Sequence, residues 1–442
     1  MNSLIKFLTL VFFLIFFSSC SFNKNSKIWT GAKKIADANA SYELLPITQN
    51  SKILDDELNI DLKINLKKTE IQINQWISSD INLLNSIPHI KASLSINNIS
   101  KFKFKKIKNF SIIEPDLLIT NEFVIFRDNN GSIIKFNKKV PGVSWIQNIY
   151  SKKERKKIAN LSLAIYNKKV FVIDNLGKYY AINLDTGEIL WKKNNQIPFN
   201  SELKIYKNQL FAVDTDDVLH NFSTKNGHEI WNIKTQSSFI KVLKKSSLVI
   251  FKNDIFFTNS IGDLTKANIT DGSIIWQIPT QNTLTNNNVF LTMSEITIEN
   301  QTLFFSNNNN EFFAIDLGTG LPKWKANVNS NLRPIIVENY IFTITNDGYF
   351  IVLNKNNGKI LRITDLLNKF NPKIKKEISF KGFIVASNNL YITTNKGHLL
   401  VSPVTVGKVK KIYKISKSAL SEPFITNNNL YIIVDNGIIL LN

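Results

Sequence analysis

The sequence predicts an all-β chain closing into an eight-bladed propeller of four-stranded antiparallel blades, on three observations. A turn rich in Asn, Asp and Gly recurs eight times at a spacing of 38–49 residues. In five copies a second turn follows, ending in Gly, and in four of those a Trp stands four residues further on. The final copy holds only three strands, while an unpartnered strand pattern precedes the first copy.

The N-terminus reads as a processing signal. Lys6 precedes the apolar run FLTLVFFLIFF (7–17), then Ser18, Ser19 and Cys20. An eleven-residue run, apolar except for Thr9, is short of the roughly 20 that a helix needs to cross a bilayer, and it suits the apolar core of an export signal. Small residues before Cys20 resemble the lipid-attachment box of bacterial lipoproteins, with Phe17 in the place usually held by Leu. Cys20 is the sole cysteine, so no disulfide forms within the chain. The expected organisation is a signal peptide over 1–20, a polar flexible tether over 21–70, and a propeller over 71–442. Within the last, 71–98 is expected to be an ordered lead-in along the ring's outside.

ISKFKFKKIKN (99–109) alternates Phe with Lys and has no neighbouring partner strand. It is expected to supply the fourth strand that EPFITNNNLYIIVDNGIILLN (422–442) lacks, locking the two ends of the ring together.

The turn into each third strand carries Gly131, Gly177, Gly262, Gly348, Gly397 or Gly437, with Asp217 and Asn310 in the remaining copies. All are residues that accept a left-handed backbone. The next turn ends in Gly187, Gly227, Gly272, Gly320 or Gly358. Trp191, Trp231, Trp276 and Trp324 follow four residues on, Arg362 takes that place in the fifth copy, and Trp145 closes the first copy with a shorter spacing. A four-stranded sheet that is apolar on both faces cannot bury them alone, so sheets must stack, and a ring leaves no bare end. The tryptophans then read as pegs between blades. Full burial of an indole is worth about 4–6 kcal/mol as an upper limit.

Composition and motifs argue against common chemistries. The formal net charge is +21, but the lysines are spread along the chain apart from KFKFKKIK (101–108) and SKKERKK (151–157), which suits a solvated surface or attraction to an anionic membrane or acidic partner better than a nucleic-acid groove. The four histidines, His89, His220, His228 and His398, are not at metal-ligand spacing. There is no G-x-S-x-G elbow and no phosphate-binding G-x-x-x-x-G-K-[ST] loop. Few acidic residues outside turns are expected to point into the hub, so no catalytic, cofactor-binding or metal-binding residue is assigned.

The pattern A-x-[ND]-x-x-[TDN]-G-x-x-x-W, carried by 181–191 and 314–324, resembles the blade motif of quinoprotein propellers. The lipid-attachment box, the tether and eight such blades together resemble the BamB family, the propeller lipoproteins of the outer-membrane β-barrel assembly machinery. NQWISSDINLLNSIPHI (74–90) is similar to a lead-in of some relatives. The resemblance implies a non-enzymatic scaffold at the periplasmic side of the outer membrane, lipid-anchored through Cys20. Its partners would be the barrel-inserting subunit and unfolded outer-membrane clients, with no nucleic acid and no cofactor. It also places partner docking on inter-blade connectors: Ile240, Lys241, Val242 and Lys244 after Trp231, and Glu295 in the next connector. The alternative is a periplasmic propeller that is an enzyme or small-ligand binder using its central channel, with a quinone as one such ligand, or that binds a polysaccharide.

Overall fold

The computed structural model describes residues 56–67, 70–76, 83–92, 94, 96–104, 106, 107, 110, 116–157, 160–238, 244–280 and 292–442. The signal peptide, Cys20, and Ile240, Lys241 and Val242 lie outside the described residues.

Eight four-stranded antiparallel sheets form the propeller. Blade 1 consists of β2 (Leu118–Ile119), β3 (Phe123–Arg127), β4 (Ile133–Asn137) and β5 (Gly142–Gln147). Blades 2 to 7 span residues 161–194, 204–234, 248–279, 297–326, 335–365 and 380–414. Blade 8 takes three strands from 424–441, and its fourth is β1 (Ile99–Lys103), antiparallel to the last strand with Ile99 opposite Leu441 and Lys103 opposite Gly437. The expected closure by the segment ahead of the first blade is thus present. Across the seam, Phe102 packs on Phe136 and Phe104 on Phe126, ring centroids 4.8 and 4.9 Å apart, joining blade 8 to blade 1.

The middle strands of each blade are almost wholly buried, for example VFVI (170–173) and FIVL (350–353). Their side chains on both faces fill the layers between blades, so the core is a series of inter-blade clusters. Turns between first and second strands and between third and fourth strands share one face of the ring. Turns between second and third strands share the other with the inter-blade connectors.

The turn glycines behave as their positions require, with one exception. Asp217 (φ 59°) and Asn310 (φ 60°) adopt the left-handed backbone that replaces Gly in their copies. Gly437 does not: it begins the last strand, opposite Lys103 and Val434. The turn before it is only Asp435–Asn436, so no left-handed third position exists. Glycine is used there for close approach, since a Cβ would stand 2.7 Å from the Phe102 carbonyl oxygen.

Each peg tryptophan sits just after a β-bulge in the outermost strand. In blade 2, Trp191 pairs with Ala181 and Ile189 with Ile182, leaving Leu190 extra. The bulge aims the indole at the next blade, where it lies against the turn glycine. A Cβ on Gly187, Gly227, Gly272, Gly320 or Gly358 would fall within 3.0 Å of Trp145, Trp191, Trp231, Trp276 or Trp324 in turn. Each indole N–H also donates to a carbonyl of that same turn: Leu184, Thr224, Thr270, Leu317 and Lys355, at 2.9–3.3 Å. Trp145 is 9% exposed and the other four are half-buried, so their packing is worth less than the full-burial figure.

Arg362 is the sixth peg. Its guanidinium donates to the Val404 and Thr405 carbonyls of blade 7 at 2.7 and 2.6 Å, and lies 2.8 Å from where a Cβ on Gly407 would stand. Burial pulls its pKa down to about 10, so it stays charged at neutral pH. A third bond, to the Leu62 carbonyl at 2.9 Å, ties it to the chain's N-terminal segment.

That segment corrects the expectation for the lead-in. The described residues of this lead-in, 71–76 and 83–92, do not run along the outside. They cross the hub on the face formed by the first-to-second-strand turns. Trp76 bridges Ile119 of blade 1, and Ile90 bridges Ala386 of blade 7. The Leu83 carbonyl accepts from Ile250 of blade 4 and the Leu84 carbonyl from Ile298 of blade 5. The apolar residues Ile73, Trp76, Ile87 and Ile90 are buried there, 6% exposed or less, which is what draws the segment inward. Residues 56–67, within the stretch expected as tether, lie against blades 6 and 7: Leu58 bridges Ile363, and the Ile64 N–H donates to the Thr405 carbonyl. The ordered body therefore begins ahead of residue 70.

Candidate functional site

The described residues between 56 and 92 form a strap that makes the two faces of the ring unlike. On the strap face, Trp76 and Ile87 floor the hub. On the other, open face, the hub is a cup of about 430 Å³ ringed by the connectors that feed each blade's first strand.

The cup wall is charged. Carboxylates come from Asp116, Glu202, Glu295 and Glu422, and cations from Lys204, Lys244, Lys245, Arg333 and Lys381. The carboxylates are matched to cations. Lys245 pairs with Asp116 at 2.7 Å and Lys204 with Glu202 at 2.8 Å. Arg333 binds Glu295 and stands 4.0 Å from Glu422. Burial alone would raise the Glu295 carboxyl, but the charge and hydrogen bond of Arg333 outweigh it and hold it below its ordinary value. Glu202 is raised, chiefly by burial, and Lys204 is lowered for the same reason. Glu295 is expected from the sequence only as a docking residue, and Asp116, Glu202 and Glu422 are not expected at all, yet three of the four share a signal. Ser-Glu recurs at 201–202, 294–295 and 421–422, just before a first strand. Each Ser hydroxyl accepts a second-strand N–H, from Val213, Ser306 and Ile433, and the following Glu reaches the hub.

Asn85 stoppers the cup from the strap side. It is fully buried with φ 49°. Its side-chain oxygen accepts from Lys204 Nζ at 2.6 Å, its amide donates to Glu202 at 3.2 Å and Ser247 at 3.3 Å, and its carbonyl accepts from the Thr297 hydroxyl at 3.2 Å. Asn85, through its side chain and its backbone carbonyl, thus joins blades 3, 4 and 5 around the Lys204–Glu202 ion pair, where an unmet bond is costly.

Of the sequence-derived docking residues, Lys244 and Glu295 are described. Both line the cup at adjacent connectors of the open face. Lys244 Nζ donates to the Asn331 carbonyl at 2.6 Å, and Glu295 is held by Arg333. Both polar heads are thus tied within the wall. The histidines are dispersed. His220 is clamped between Asp214 (3.0 Å) and Glu229 (2.6 Å). Burial would lower its pKa, but hydrogen bonds to Asp214 and Glu229 and their charges raise it overall.

Among the described residues no group of three or more His, Cys, Asp or Glu is placed to hold a metal ion, and no helix is long and apolar enough to cross a membrane. The hub carboxylates are engaged by Lys and Arg, so the donor set does not fit a calcium-held quinone.

Fold and hub define a class: an eight-bladed propeller of the quinoprotein-like type, with a strapped hub and an open connector face. A family model described as outer membrane protein assembly factor BamB matches residues 129–364, and the chain belongs to that family. No curated protein matches the sequence. Among solved structures, BamB from Moraxella catarrhalis superposes with a TM-score of 0.63 at 12% identity, over 77% of this chain and 99% of that one. A europium-containing methanol dehydrogenase gives 0.60 at 11% identity, over 82% and 90%. Quinohemoprotein alcohol dehydrogenase ADHIIG from Pseudomonas putida HK5 gives 0.56 at 9%, over 81% and 78%. At these identities the likeness is one of fold.

Proposed function

We propose that this chain is a non-enzymatic scaffold of outer-membrane β-barrel assembly, anchored by lipid at Cys20 and facing the periplasm. It binds the barrel-inserting subunit through the open-face connectors that follow blades 3 and 4. The observation that carries this reading is the asymmetry of the ring. The chain's own strap occupies one face, whereas the connectors around Lys244 and Glu295 meet on the other. Family membership supplies the partner, and the charge-matched hub supports a role in which connectors rather than a reactive pocket meet other molecules. An apolar pair, Ile240 and Val242, with Lys241 between them and Lys244 two residues on, suits a small hot spot with a charged rim. Ile240→Asp with Val242→Asp should abolish co-purification with the barrel-inserting subunit from detergent-solubilised membranes and leave the melting temperature unchanged. Undiminished co-purification by that double variant would refute the docking assignment.

A further inference from the structure

The outer strand of every blade presents an edge, and exposed edges invite pairing with other chains unless charge, proline or cover prevents it. In the six pegged blades the residue directly after the peg marks the same point on that edge. It is Ile146 in blade 1, Lys192 in blade 2, Asn232 in blade 3, Gln277 in blade 4, Lys325 in blade 5 and Ile363 in blade 6. Four of these are polar and exposed, and only blades 1 and 6 carry Ile.

Blade 6 shows what such an edge accepts. Leu58 of the strap forms an antiparallel bridge with Ile363, its N–H donating to the Ile363 carbonyl at 3.1 Å and its carbonyl accepting the Ile363 N–H at 3.0 Å. The Glu57 carboxylate accepts the Asp365 N–H at 3.0 Å, and the Asn59 amide donates to the Leu361 carbonyl at 3.0 Å, extending the pairing to both sides. Ile363 is only 4% exposed, its side chain packed in the cluster between blades 5 and 6 while its backbone pairs with Leu58.

Ile146 occupies the matching register. It stands opposite Ile134 on β4, as Ile363 stands opposite Ile351, and both follow the same bulge and peg. Its outward N–H and carbonyl therefore point as those of Ile363 do. Yet Ile146 is 59% exposed, Val143 55% and Val140 76%, and β5 (GVSWIQ) contains no charged residue. Among the described residues β5 pairs only with β4.

We infer that the outer edge of blade 1, centred on Ile146, is a docking site for an extended strand with an apolar side chain at the pairing position, contributed by another protein. The added strand forms the two-bond bridge to Ile146 that Leu58 forms to Ile363, and its apolar side chain covers Val143 and Ile146. This surface is distinct from the open-face connectors, so it stands or falls apart from the docking reading above.

The test uses the full chain and a soluble lysine-capped peptide of alternating valine and threonine, with amide hydrogen exchange and a binding isotherm. The expected result is saturable binding that protects the Ile146 amide. Ile146→Lys, which installs the residue type that blades 2 and 5 carry there, should weaken binding about tenfold with an unchanged melting temperature. Lys192→Ile should add a second site of the same kind. Undiminished binding to Ile146→Lys, or protection elsewhere without protection of Ile146, would overturn the inference. So would an Ile146 amide already protected without peptide and released by deleting residues 21–55, or concentration-dependent dimerisation lost in Ile146→Lys. Those last two results would assign the edge to this chain's own tether or to a second copy.

Discussion

The seating of tryptophan on glycine across each blade boundary predicts a specific coupling at Trp324 and Gly358. Gly358 has φ 70°, and a Cβ there would fall 2.3 Å from Trp324 Cε3 and 2.7 Å from Cδ2. In Gly358→Ala the left-handed backbone costs about 1–2 kcal/mol. Displacing the ring costs about 1–3 kcal/mol more, and stretching the 2.9 Å bond from the indole to the Lys355 carbonyl adds roughly 0.5–1.5 kcal/mol. The sum is about 2.5–6.5 kcal/mol. Trp324→Ala removes a half-buried indole and the same bond, costing about 2–4 kcal/mol. Once the ring is gone, Gly358→Ala should cost only its backbone strain. The double variant is then less destabilised than the sum of the singles by about 1.5–4.5 kcal/mol. Urea unfolding of all four proteins, followed by far-ultraviolet circular dichroism, measures the cycle. Additivity within about 0.5 kcal/mol would refute the seating of the ring on the glycine.

Further expectations concern the hub, the clamp and the sixth peg. Asn85→Ala should destabilise by about 1–3 kcal/mol by stripping a partner from buried Lys204 and Glu202, and chemical denaturation measures it; an unaltered midpoint would show that the strap does not stopper the cup. The pKa of His220 is raised on folding, so its ion pairs contribute full stability below the unfolded value of about 6.5 and lose it as pH rises through the higher folded value. His220→Gln should therefore cost more at pH 5.5 than at pH 9, and an equal cost at both would contradict the charged clamp. Arg362→Ala should cost about 2–4 kcal/mol, because three carbonyls lose a donor, and should speed amide exchange at Ile64 and Gly407; unchanged exchange would mean that Arg362 does not act as a peg.

Much of the fold was legible because a propeller writes its geometry in local repeats. The left-handed turn positions, the bulge-and-peg strands and the missing fourth strand of blade 8 each leave a mark within one 38–49 residue copy. What was not legible depends on distant partners. Residues 71–92 have no repeat, and their course over the hub is set by pairing with Ile119, Ala386, Ile250 and Ile298, far along the chain. Asn85 looks like an ordinary loop residue until Lys204 and Glu202 are brought around it. Gly437 shares the spelling of the other turn glycines, but blade 8 turns two residues sooner, and its partner strand comes from residues 99–103. Arg362 broke the tryptophan pattern without breaking its function, since a guanidinium can meet the same carbonyls as an indole N–H. Glu202 and Glu422, and the hub position of Glu295, were hidden because Ser-Glu falls in connectors, where no strand periodicity shows which way a side chain points.

The scaffold reading rests most heavily on which face meets the partner, and in-cell photocrosslinking reads that directly. A photoreactive residue at exposed Gln236 or Ser237, on the connector after blade 3, should capture the barrel-inserting subunit, while one at exposed Lys225, on the opposite face of the same blade, should not. Capture from Lys225 with none from Gln236 or Ser237 would contradict docking through the open face.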